Sequence, residues 1–456
     1  MTTDINQKLI TVLNDAVEPL TENENKYDAL LNKIADSRFV LIGEATHGTH
    51  EFYQARAEIT QQLIMKKGFM AVAIEGDWPD AYRVHRYLQG LGDKNAWREA
   101  LANFKRFPTW MWRNYTIAPF LQWLRSYNDN LITPTKKIGF YGLDLYSLNL
   151  SMQAVIDYLS KIDPDAADRA RKRYSCFDHL GFDPQKYGYL TNEGLKKSCL
   201  NEAIAQILEL QHHAFEYVHN DAITADEFFY ATQNARLVKD AETYYRSIFE
   251  GRVSSWNIRD IHMLETLNIL ADHLESKFDK PAKIVVWAHN SHVGDARATE
   301  MGDQGEVNIG QLMREHHGVS DIYLLGFSTY QGFVTAANDW DEPAEKKYVN
   351  PGLPGSYEEL FHHLKYKNFI LDLTNKTLEH YFHTPRLQRA IGVVYRPETE
   401  RASHYFLTHL LYQFDCIIHL DETTAVQELA KTKCSDDAVF KGNNTEGLDE
   451  ITEVDE

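Results

Sequence analysis

The chain has 456 residues, of which 43% are hydrophobic and 25% charged, and it carries a net charge of −19. That length supports a large core and two or three domains at about 150 residues each, and that charge excludes the basic surface nucleic acid requires. No apolar run reaches the roughly 18 residues a membrane helix needs, so neither nucleic acid nor a membrane is an expected partner.

The N-terminal stretch MTTDINQKLITVLNDAVEPL is polar and acidic. It lacks the basic start and apolar centre of a secretory signal. Cys176, Cys199, Cys416 and Cys434 are scattered, with no CxxC, which argues against a disulfide framework and a zinc ribbon. A cytoplasmic protein is the expectation.

Short apolar runs follow in chain order, several ending on polar residues. RFVLIGE ends at Glu44, MAVAIEGD at Glu75 and Asp77, KIGFYGLD at Asp144, and KIVVWAHNSH at His289 and His292; IYLLGFST, NFILDL, AIGVVY and CIIHLD have similar apolar centres. Runs of four to eight residues rich in Val, Ile and aromatics suit strands buried on both faces. Amphipathic stretches such as Tyr53–Lys67 and Pro79–Leu88 lie between them. The alternation predicts an α/β fold with a largely parallel central sheet flanked by helices. Ligands in such sheets sit beyond the carboxyl ends of the strands, where this chain collects its polar residues.

From about Leu148 to Lys280 the strand signal stops. Partial helical stripes take over, one through Ile204, Ile207, Leu208 and Leu210, another through Met263, Leu264, Leu267, Leu270 and Ala271. The expected organisation is a first part of the α/β domain over 1–147, a helical insertion over 148–280, a second part over 281–425, and a tail over 426–456. From Ser435 onward that tail holds eight acidic residues against Lys441 alone, the composition of a solvated segment.

The chemistry-bearing residues cluster after the first strand. In VLIGEATHGTHEFYQAR, Arg56 lies four residues after Phe52 and three before Ile59, on the core face of the coming helix. A buried guanidinium is expensive unless paired, and Glu44 and Glu75 at neighbouring strand ends are its natural partners. His47 and His50 form one HxxH and His289 and His292 another. Imidazole can take a proton from water and return it to a leaving group, and a carboxylate beside it fixes the useful tautomer. Zinc is the rival reading, although the spacing is not HExxH and fixes no three converging ligands. Neither a GxSxG elbow nor a GxGxxG or GxxxxGK loop occurs. FPTWMWRNY reads as core packing or the wall of an apolar pocket.

The blocks IGEATHGTHEFYQARAEITQQLI, GFMAVAIEGDWPDAYRVHRYL, YGLDLYS, NIRDIHML and VVWAHNSHVGD together resemble the erythromycin esterase family, in that family's order, over roughly 35–295. The resemblance implies hydrolysis of an ester or lactone without metal or other cofactor, on a small-molecule substrate. It implies that His47 is the general base, Glu44 its acidic companion, Arg56 the active-site arginine, Glu75 a second acid and His289 a second catalytic histidine. His50, His292 and Trp78, beside the same strand ends, are the candidate substrate contacts. Thr266 stands where many members would have asparagine. A more distant likeness to haem-binding and peptidase groups keeps a metal-dependent hydrolase and a haem or small-molecule binding protein as alternatives. The oligomeric state is not readable.

Overall fold

The computed structural model describes residues 2–21, 25–133, 136–177, 183–218, 222–382 and 384–429. Most of the expected tail, with Cys434, lies outside them. Its first residues are part of the fold: Val426 and Leu429 are buried, and their amides donate to the carbonyls of Gly48 and Arg113.

The strands are β1 (Val17–Pro19), β2 (Phe39–Ile42), β3 (Ala71–Asp77), β4 (Gly139–Asp144), β5 (Ile284–Trp287), β6 (Ile322–Ala336), β7 (Glu345–Val349), β8 (Asn368–Asp372), β9 (Arg386–Arg389), β10 (Tyr405–Thr408) and β11 (Cys416–Thr423). Among the described residues nine form one mixed sheet in the order β1-β8-β11-β6-β2-β5-β3-β4, with β7 hydrogen-bonded along the far end of β6. The central run from β11 to β4 is parallel, and β8 and β7 pair antiparallel. The expected α/β sheet is present.

Two cores sandwich this sheet, and strand alternation sorts residues between them. Phe39 and Leu41, Ala71 and Ala73, and Ile284 and Val286 face one core. Val40 and Ile42, Val72 and Ile74, and Val285 and Trp287 face the other. Burial on both faces is why these strands read as continuous apolar runs. The first core is closed by the helices between β4 and β5, where no strand occurs among the described residues; the last of them, Arg252–Phe278, buries Met263, Leu267 and Leu270. The second core is closed in part by the helix His50–Lys67, which buries Phe52, Ile59 and Leu63 at helical spacing and stops at the left-handed Gly68. No helix among the described residues is long and apolar enough to cross a membrane.

Three expectations change. In Leu200–His212 the buried face is Ala203, Gln206 and Leu210, while Ile204 and Leu208 are 38% and 58% exposed. Cys176 and Cys199 form a disulfide although the cysteine spacing suggested none. AIGVVY is not a strand: Ile391 pairs instead with the loop after β2, its amide donating to Ala45 O at 2.9 Å and its carbonyl accepting from His47 N at 3.3 Å. The apolar character of this segment comes from bracing that loop.

Candidate active site

The site is built where β2, β5 and β3 end. Gly43 closes β2, and a Cβ there would stand 2.1 Å from Asn290 Oδ1. Asn290 needs that space, because its Nδ2 donates to Phe327 O at 2.7 Å and its backbone N to Glu44 O at 2.8 Å. One asparagine thus ties the ends of β2 and β5 to the body of β6. The Gly43 amide is already bonded to Leu325 O at 2.8 Å, so it is not a free donor for an oxyanion.

Glu44 is fully buried between a guanidinium and an imidazole. Its Oε2 lies 2.5 Å from Arg56 Nη2 and its Oε1 accepts from His47 Nδ1 at 2.8 Å. The Arg56 guanidinium, also fully buried, lies over the rings of Tyr53 at 4.4 Å and Trp287 at 5.4 Å, a cation–π arrangement that covers its faces. Arg56 therefore sits behind Glu44, away from open space, where it can position the carboxylate but not touch a substrate. Glu75, the other partner considered for Arg56, pairs elsewhere.

Glu75 accepts from Arg259 Nη2 at 2.7 Å and, through its other oxygen, from the His289 backbone N at 2.8 Å. Its Oε1 is 3.9 Å from His47 Nε2. Burial acts to raise this carboxyl, but His292, His47 and Arg259 overcome it and hold the group well below the usual carboxylate range. Glu75 is ionised at neutral pH. Arg259 also grips Asp144 through Nε at 3.0 Å and Nη2 at 2.8 Å, a fork geometry only arginine provides.

The two histidines present complementary nitrogens. With Nδ1 held by Glu44, His47 offers Nε2 as its basic nitrogen. His289 caps the turn Asn290–Val293 by accepting the Ser291 N–H on Nδ1 at 3.2 Å, which places its proton on Nε2. That Nε2 is buried and has no hydrogen-bond partner among the described residues. Burial, reinforced by His47, lowers the His289 pKa well below the ordinary value against the pull of Glu75, so the ring is a neutral N–H donor at pH 7. The two ring centroids are 4.8 Å apart.

His47 lines a cavity of about 560 Å³ with Glu75, Asp77, Phe107, Tyr146 and Arg259. His289 lines a second, of about 890 Å³, with Ser291, Trp256, Arg252, Tyr405 and Phe406. The imidazole pair stands between them.

The three proposed substrate contacts fall elsewhere. His50 is half-buried and bonded to Thr116 Oγ1 at 2.7 Å. His292 is held on Asp260 at 2.9 Å and stacked on Trp256 at 4.5 Å, one layer behind the cavities. Trp78 is a core residue, stacked on Tyr141 at 5.8 Å; its position opening the helix Trp78–Leu88 turns the indole onto the sheet. Arg259 and Asp260 join the site without a role expected from the sequence, and Asp144, a strand-end residue there, gains one as the partner of Arg259. The signal was present in RDIH, where charged residues interrupt an apolar stripe on a helix, and in the aspartate closing KIGFYGLD.

Asp80, 2% exposed, carries a carboxyl raised to about 8, first by burial and then by Asp77, against Arg106, Arg83 and Lys105. Unfolded, it would ionise near 3.9. The folded state binds the extra proton, so this group's contribution to stability falls as pH rises between those values. Asp80→Asn is therefore expected to raise Tm, by little at pH 4 and by most at pH 8. Melting curves of the two proteins across that range check it.

A Ser–His–Asp series also exists, with Ser328 Oγ 2.8 Å from His419 Nδ1 and His419 Nε2 3.4 Å from Asp421. It is buried between β6 and β11, and neither cavity described above reaches it. Among the described residues no three His, Cys, Asp or Glu side chains are placed to hold a metal ion.

The comparisons agree with this architecture. The erythromycin esterase family model matches residues 64–423. Relatives include "Putative hydrolase YbfO" of Bacillus subtilis (strain 168), 22% identical over 88% of this chain and 87% of that protein. Erythromycin esterase type II of Escherichia coli is 22% identical over 69% of this chain and 74% of that one. The fold matches the crystal structure of a succinoglycan biosynthesis protein, with a TM-score of 0.74 at 22% identity over 93% of this chain and 99% of that one. It also matches a mutant erythromycin esterase, EreC, in its open conformation, with a TM-score of 0.61 at 16% identity over 93% and 98% of the two chains. With a family model spanning most of its length, the chain belongs to the erythromycin esterase family.

Proposed function

We propose that the protein hydrolyses a carboxylic ester or lactone by direct attack of water activated on His47. Family membership supports hydrolase chemistry. The observation that carries the finer reading is the pair of imidazoles 4.8 Å apart, His47 with Nδ1 on Glu44 and His289 with Nδ1 on the Ser291 N–H. His47 Nε2 takes a proton from water as that water attacks the carbonyl carbon, and the same proton then passes to the leaving alkoxide. The imidazolium formed in between is flanked by Glu44 on Nδ1 and by Glu75 beyond Nε2, so its charge is met on both sides. The neutral His289 Nε2–H donates to the carbonyl oxygen as negative charge develops there, and it needs no reorganisation to do so. Arg56 fixes Glu44, and Arg259 fixes Glu75; both are positioning residues.

A panel of aryl esters, small lactones and large-ring lactones tests this reading, the last class because two of the relatives are named erythromycin esterases. His289→Phe keeps the ring and removes the donor. It is expected to lower kcat by about 10²–10³-fold with KM little changed. Unchanged kcat would remove His289 from the chemistry. An acyl-enzyme trapped by rapid quench and mass spectrometry would replace water with a protein nucleophile.

A further inference from the structure

The first cavity brings four acidic side chains together with two arginines. Its walls include Glu75, Asp77, Asp80 and Asp144 against Arg106 and Arg259. Both guanidiniums are already committed: Arg259 bonds Glu75 and Asp144, and Arg106 donates to Asp77 Oδ2 at 3.0 Å. Asp77 Oδ1 is left over. It is buried and has no hydrogen-bond partner among the described residues. An orphaned carboxylate oxygen in a cavity wall is an acceptor awaiting a donor. Asp80, one helical turn on, adds a second carboxyl, which burial and Asp77 hold protonated at neutral pH while the cavity is empty and which an entering cation would favour in its ionised form.

The apolar part of the same wall points the same way. Tyr146 already carries Arg106 and Arg259 over its ring at 4.4 and 5.0 Å. Phe107 and Trp340, packed edge to face at 4.9 Å, and Phe104 line the cavity as well and have no cation over them among the described residues. Aromatic faces beside anionic oxygens, without a converging set of metal donors, favour an alkylated ammonium over a bare metal ion.

Building on the hydrolase reading above, we propose that the first cavity recognises a protonated amine on the substrate, bound between Asp77 Oδ1, Asp80 and the rings of Phe104, Phe107 and Trp340. The substrate class is then an ester or lactone whose portion entering this cavity carries an ammonium group. The second cavity takes the part of the molecule on the other side of the imidazole pair.

Choline and its neutral isostere 3,3-dimethylbutanol serve as probes, with binding measured by calorimetry on the full chain, so that no turnover is required. Choline is expected to bind at least about tenfold tighter than the alcohol. Asp80→Asn and Asp77→Asn should each remove most of that preference while leaving the alcohol's affinity unchanged. Asp80 has no ion pair among the described residues, so its variant keeps the test valid where Asp77→Asn disturbs Arg106. Equal affinity for the two probes in the unmodified protein, or a preference that survives Asp80→Asn, overturns the proposal. His47→Ala separates the two readings. Lost ester turnover with no choline preference in the parent protein sinks the ammonium site alone, and retained turnover in that variant sinks the catalytic reading alone.

Discussion

Changing His47 to Ala is expected to lower kcat/KM for any ester the protein turns over by about 10²–10⁴-fold, the range general-base catalysis supplies. The loss should fall on kcat, because the side chain is small beside the cavity it lines and makes its contribution as the proton moves. Folding should survive, since the ring lies at the end of the sheet and the brace from Ile391 to this loop runs through backbone atoms. Circular dichroism and Tm would confirm intact structure. Glu44→Gln removes the charge opposite the imidazolium and also leaves the fully buried Arg56 without its carboxylate, so it should lower Tm as well as kcat. Ser328→Ala should leave hydrolysis intact, because its hydroxyl faces His419 inside the sheet layer. Turnover of the His47 variant within tenfold of the parent would show that water is activated elsewhere.

The largest effect on stability is expected from Arg259→Met. The methionine fills much of the space but leaves the buried Asp144 without its fork partner and takes from the buried Glu75 one of the groups that hold it ionised. Breaking a buried pair in this way costs about 3–5 kcal/mol, and here two carboxylates lose one partner. Urea denaturation would show it as a lower midpoint at similar slope. The pH dependence should change too. Glu75 is held below its unfolded value, so its contribution is present above roughly pH 4.3 and is lost as pH falls through the folded value. Without Arg259 that folded value rises, and acid unfolding begins at higher pH. A variant as stable as the parent would mean that the carboxylates take up protons at little cost.

Much of this was legible from residue patterns, because buried parallel strands announce themselves as apolar runs and their ends as polar punctuation. The placement of Glu44, Glu75 and His289 at adjacent strand ends followed from that punctuation alone. The burial of Arg56 followed from helix phase, and the structure chose Glu44 over Glu75 as its partner. Side-chain direction was less visible. His50 and Trp78 are close in sequence to site residues, yet each opens a helix, and the first turn aims them at Thr116 and at Tyr141. Ile204 and Leu208 show that two apolar residues four apart do not define the inner face when Ala203 and Gln206 pack more closely. Arg259 was hidden for another reason: its partners Glu75 and Asp144 lie 184 and 115 residues away, beyond any local period.

The strand order has a consequence for how the chain is made. β2 and β3 do not touch; β5 fills the place between them. His289, just past β5, is 214 residues downstream of the carboxylate that receives its amide. At bacterial or eukaryotic elongation speeds of about 5–20 residues per second, the ribosome needs roughly 10 to 40 s to supply it. Until then the nascent sheet has an empty slot with two unsatisfied edges, the kind of surface that chaperones shield and that strays into aggregation. Catalytic competence can therefore arrive only after the slot closes, once the first 289 of the 456 residues have been made, and a polypeptide stalled earlier would be inert as well as adhesive.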